Sequence, residues 1–153
     1  MSFARWTDEE FAFLSWHDNT IHGFLLISGE SGAGALVFDI DHILEWRPND
    51  ERGFSFLVAP ATLTFRDVSS LKVSIDYATP TAALSPFTID RIDRTVEKRQ
   101  RYNAVLWTLP INWPAGEITF EAAGFVMELR AAPLSSFSMS LPREPGAGGS
   151  DSG

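Results

Sequence analysis

The chain has 153 residues and a formal net charge of −8, with 44% hydrophobic residues, 21% charged residues and no cysteine. That length suffices for one buried core, and nineteen aromatics (12 Phe, 5 Trp and 2 Tyr) exclude an intrinsically disordered chain. The lack of cysteine excludes a disulfide framework, a thiol nucleophile and any zinc site built on thiolates.

The first predicted element is a short helix. Thr7 is a capping residue with Glu10 as its capping-box partner, and Trp6 and Phe11 occupy the two staple positions, so a helix is expected from Thr7 to about Trp16. No apolar h-region precedes Asp8-Glu9-Glu10, and no apolar run approaches the ~20 residues that span a bilayer. A cytoplasmic chain without membrane contact is expected.

Beyond Asn19 the pattern takes the period of a β-strand. In residues 36–46, Leu36, Phe38, Ile40, His42, Leu44 and Trp46 form one face, and Val37, Asp39, Asp41, Ile43 and Glu45 form the other. Thr20–Ser28 is a second strand, joined to it by the glycine-rich turn Gly29–Gly34. A hairpin centred near Ser31-Gly32 sets Ile27 opposite Leu36, Leu25 opposite Phe38 and Ile21 opposite His42. His22 and Asp41 then become direct neighbours on the polar face.

Further strands are predicted over Phe54–Ala59 and Ala61–Val68, with Pro60 marking a bend or edge, and over Leu71–Tyr77. Phe87–Val96 and Asn103–Leu109 read as a hairpin, and Glu117–Ala122 and Phe125–Arg130 close the set, with a bulge at Gly124. The expectation is a mainly antiparallel β-sandwich or partly open barrel of about eight strands, with one N-terminal helix. One domain is expected over residues 1–141, followed by a disordered Gly/Pro/Ser tail over 142–153.

The charge is unevenly distributed. Residues 1–51 hold ten acids and two bases, giving −8, whereas residues 52–153 hold ten of each. Asp18, Asp39, Asp41 and Glu45 are therefore the candidate residues of an acidic face that attracts a basic protein. The bases Arg91, Arg94, Lys98, Arg99 and Arg101 are interleaved with Asp90, Asp93 and Glu97, a pattern that disfavours nucleic acid.

All three histidines (His17, His22 and His42) fall in the acidic third. His22, Asp39 and Asp41 form an alternative divalent-metal site, because imidazole and carboxylate are ligands for zinc, manganese or iron. A metal-dependent, hydrolase-like enzyme would follow from that alternative. Against it, HExxH-type spacing is absent, and an opposite-charge cross-strand pair is favourable without any metal. His42 falls on the apolar face, as a hydrogen-bonded core histidine does. No G-x-S-x-G elbow or Walker loop is present.

Trp16-His17-Asp18-Asn19-Thr20-Ile21-His22-Gly23, running into two strands, resembles the opening of a group of small bacterial β-rich proteins. These begin with a hydrophobic-His-Asp-x-x-Ile/Leu element, and Ile118–Phe125 is similar to their last β segment. Some of their relatives are immunity proteins, which neutralise a toxin by binding it. The resemblance spans most of residues 10–133 and implies a role for His17 and Asp18 in shaping the first hairpin at least as readily as one in function. It supplies no catalytic residues. The expected function is thus non-catalytic binding, with no cofactor predicted and the oligomeric state open.

Overall fold

The computed structural model describes residues 3–30, 34–49, 51, 53–78 and 83–143. Among the described residues, ten strands make one antiparallel system: β1 (Arg5–Thr7), β2 (Thr20–Ile27), β3 (Gly34–Asn49), β4 (Gly53–Ile75), β5 (Phe87–Ile89), β6 (Asp93–Lys98), β7 (Asn103–Trp113), β8 (Gly116–Glu121), β9 (Gly124–Leu129) and β10 (Leu134–Ser136). The mainly antiparallel β class expected from the alternation is what the chain adopts.

The pairings return on themselves. β4 pairs β3, β3 pairs β2, β2 pairs β5, β5 pairs β7, β7 pairs β8, and β8 pairs β4 again. This ring is a partly open barrel, because β5 joins its neighbours over very short stretches. It meets β2 only at Thr20 and Ile21, and β7 only at Ile111 and Trp113. β9 and β10 lie along β4, β1 lies along β9, and β6 extends from β7.

Three predicted strands turn out to be one. β4 runs unbroken through Pro60, which pairs with Asp41 of β3 and whose carbonyl accepts the Arg130 N–H. On its other side β10 pairs as far as Val58 and β9 begins at Ala61. The missing proline N–H falls in the gap between those two partners, which is why the ladder tolerates it. Further along, Asp67 and Ser70 take positive φ where β4 passes from β9 to β8, a kink that carries the strand around the barrel.

The predicted N-terminal helix is shorter and tighter than expected, a 3-10 turn over Asp8–Phe13. Glu10 accepts the Thr7 N–H at 2.7 Å as the capping box requires, and Phe11 packs on Trp107 and Phe125. The main core lies between Leu36, Phe38 and Ile40 of β3, Leu63 and Phe65 of β4, Trp107 and Leu109 of β7, and Phe125 and Met127 of β9. Trp107 donates its indole N–H to the Ala122 carbonyl, so its one polar atom is satisfied inside. Among the described residues, no helix is long and apolar enough to cross a membrane.

Candidate functional site

The first hairpin departs from its expected register. Phe24 pairs with Phe38 and Leu26 with Leu36, one residue off the expected alignment. Across a bulge at His22 the shift grows to two, so that Ile21 pairs with Ile40 and Thr20 with Asp41. The extra residue reverses the side-chain phase of β2. Ile21 points inward before the bulge, and Phe24 and Leu26 share the inner side of Phe38 and Leu36 after it. Leu25 and Ile27, expected to face inward, lie on the outer face with Val37.

The bulge also decides the fate of His22 and Asp41. They are not directly opposed as expected. Instead His22, set out from the ladder, places Nε2 2.7 Å from Asp41 Oδ2. Asp41 is wholly buried and also accepts the Leu141 N–H at 2.8 Å, the Arg143 Nη2 at 2.7 Å and the Ser140 hydroxyl at 3.4 Å. Burial pushes this carboxyl up, but the bonds from His22, Leu141 and Arg143 together outweigh it and hold the group below 3.8.

Arg143 lay in the segment assigned by composition to the tail, yet it is seated on this cluster. It bonds Asp39 at 2.9 Å as well as Asp41, and Arg130 meets Asp39 from the other side. The remaining tail residues, 144–153, lie outside the described residues. The strap that ends in Arg143 also buries Leu141 against Ile43, Phe56 and Val58, a second small core on the outer face of β3 and β4.

In this arrangement the residues of the metal alternative are bonded to groups of the chain itself. The cationic place between Asp39 and Asp41 is filled by a guanidinium, and the lone pairs of Asp41 are taken by donors of the chain itself. Among the described residues, no group of three or more His, Asp or Glu side chains is placed to hold a metal ion.

The four acids proposed as one face are likewise separately engaged. Asp39 sits between two arginines and Asp41 is buried. Glu45 pairs with Arg47. Asp18, at a positive φ of 62° that aspartate tolerates, accepts the Asn112 amide at 2.7 Å. Its own N–H bonds the Ile89 carbonyl, so this residue ties the first turn to β5 and β7.

His42 behaves as a core histidine. It is buried between Trp6 and Trp16, with Asn19 donating to Nδ1 at 2.9 Å. Desolvation lowers its pKa from 6.5 to about 4. The neutral ring therefore carries its proton on Nε2. Asn19 was not singled out in the sequence, although it is fully buried and also accepts the Ile43 N–H. His17, more exposed, lies 3.3 Å from both Asp18 and Asp90 and stacks on Trp46.

What sequence reasoning missed most is the outer edge of β2. Past Ile21 that edge has no partner strand among the described residues. Its side chains are apolar on both faces, and the run Phe24-Leu25-Leu26-Ile27 is exposed throughout. The inward-pointing members of the run are the informative ones. Phe24 is 39% exposed and Leu26 62%, because no neighbouring strand among the described residues covers them.

Shallow grooves flank the strand. One of about 280 Å³ lies beside Phe24 and is lined by Ile75, Tyr77 and Leu84. Another of about 280 Å³ lies beside Leu26, against Leu36, Val68 and Leu71. A third of about 310 Å³, on the outer face, is bordered by Leu25, Val37 and Thr62. The signal that points to this edge is a run of four large apolar residues in a strand with no Asp, Glu, Lys or Arg to guard it.

Compared with protein-family models, with curated proteins and with solved structures, the chain gives no match. The N-terminal resemblance rests on its own residues alone.

Proposed function

We propose that the chain is a non-catalytic binding protein that receives an extended segment of a partner protein on the free edge of β2. The observation that carries this reading is the exposure of Phe24 and Leu26, two side chains that point to the core side with no strand among the described residues to cover them. An added strand would pair the backbone groups of Gly23–Ile27 that face away from β3 and cover both side chains. Strand addition of this kind draws affinity from main-chain bonds, and specificity from alternate side chains that fall into pockets on the two faces. The grooves on either side of β2 have that disposition.

The polar residues fit a structural role better than a chemical one. His22 is held by Asp41, His42 by Asn19 and His17 by Asp18 and Asp90. A binding role also agrees with the immunity-type function implied by the N-terminal resemblance, with the contact moved from the acidic residues to an apolar edge.

The test uses capped synthetic peptides of alternating apolar and polar residues, titrated into the isotope-labelled chain and followed through backbone amide shifts. Shifts concentrated at Gly23–Ile27, lost when the same peptide is N-methylated on its pairing side, are expected. Shifts elsewhere, or none with any peptide and no oligomer occupying the edge, overturn the reading.

A further inference from the structure

We infer that the segment received on this edge is β2 of a second copy of the chain, in an antiparallel, two-fold pairing centred on Leu25. The inference rests on the strand-addition reading and names its partner.

Two-fold symmetry sets each residue of the edge against another residue of the same strand. A charge on the axis would meet its own kind across the interface, and one elsewhere on the edge would be set against an apolar residue of the other strand. β2 carries no Asp, Glu, Lys or Arg from Thr20 to Ile27, and its one titratable residue, His22, is turned onto Asp41. The edge suits its own image in charge, although the whole chain is acidic.

Steric complementarity points to one register. With the axis at Leu25, Leu25 faces its counterpart, Phe24 of one protomer faces Leu26 of its partner, and Gly23 faces Ile27. Directly opposed residues in an antiparallel pair share a face. Phe24 and Leu26 from both protomers then gather on the inner side, where they are now half-bare. On the outer side Ile27 lies over Gly23, where an added Cβ would meet nothing within 4 Å. The smallest residue of the edge is thus set against a large branched one, on a face with room above the glycine.

The net charge makes a separate demand. Two chains of −8 repel at long range, and salt screens that repulsion with a Debye length of about 8 Å at physiological ionic strength. Self-association at β2 is therefore strengthened by added salt, whereas attachment of a basic partner is weakened by it.

Light scattering on the size-fractionated full chain tests the proposal, over a dilution series and at low and high salt. A particle of twice the 16.9 kDa chain mass is expected, with the dimer persisting to lower concentration in high salt. Leu25→Lys and Leu25→Glu, exposed changes that leave the core intact, should each run as monomers. Mixed in equal amounts, they should re-form the dimer, because unlike charges then meet on the axis. A wild-type chain that stays monomeric throughout, or a dimer indifferent to both substitutions, overturns the inference. The peptide titration separates the two claims: a monomeric chain whose Gly23–Ile27 amides respond to peptide removes only the second copy. A monomeric chain that ignores every peptide removes both.

Discussion

Arg143 and Asp41 meet at 2.7 Å across 102 residues of sequence, joining the C-terminal strap to the middle of the first hairpin. Asp41 cannot shed its charge cheaply in this setting, because its pKa is held below the ordinary value of 3.8. The strap therefore supplies donors to a buried anion and, through Leu141, an apolar cover for Ile43, Phe56 and Val58.

Removing the guanidinium should loosen this end of the molecule first. Arg143→Ala is expected to cost about 2 kcal/mol, the range for a hydrogen bond to a charged group. The loss stays at that level because His22, Leu141 and Ser140 remain on Asp41. Urea unfolding gives the stability change, and faster amide exchange at Leu141 would show that the strap has lifted. An unchanged midpoint would mean that the ion pair contributes nothing net.

His42 gives the stability a defined pH dependence. Its folded pKa of about 4 lies below the ordinary 6.5. Between these values the unfolded chain binds a proton that the folded chain refuses. Stability is therefore full above pH 6.5 and falls as the pH drops toward 4, by about 3 kcal/mol if the whole shift is expressed. Below 3.8, protonation of Asp41 adds a further loss of the same sign. Urea midpoints measured through this range should slope downward with acid. His42→Gln, which can still accept from Asn19, should flatten the slope between 6.5 and 4.

The closure of the barrel between β4 and β8 depends on Gly116. A Cβ at this position would stand 2.1 Å from the Ser74 carbonyl oxygen, a backbone atom that cannot swing aside. Gly116→Ala should cost about 3 kcal/mol, at the upper end for overpacking. Thermal unfolding would register it as a lower midpoint. Gly23→Ala, where the space is open, is the matched control and should change the monomer's stability far less.

The faces of the strands were legible because a side chain's burial is written into the period of its own segment. Leu36, Phe38, Ile40 and His42 are all buried, as their alternation implied. Partner and register are relations between segments, and the pattern holds them only weakly. At His22 one extra residue turned Leu25 and Ile27 outward, although they read as core. Pro60 looked like a break because its missing N–H is visible in sequence, whereas the gap between β9 and β10 that excuses it is not. Arg143 was hidden by its neighbours, since a Gly/Pro-rich stretch gives no sign that its first residues dock.

The order in which the chain is made adds a consequence to the bare edge of β2. β2, β3 and β4 are complete by Ile75, well before β8 and β9 emerge to line the far side of β4. Until then the growing meander has two unguarded borders, and among the described residues the later strands cover the β2 border only at Thr20 and Ile21. Neighbouring ribosomes on one message hold several such meanders close together, each showing the same uncharged border. Ordered pairing and aggregation thus begin to compete during synthesis. Slower initiation, which spaces the ribosomes apart, would shift the outcome without altering a residue.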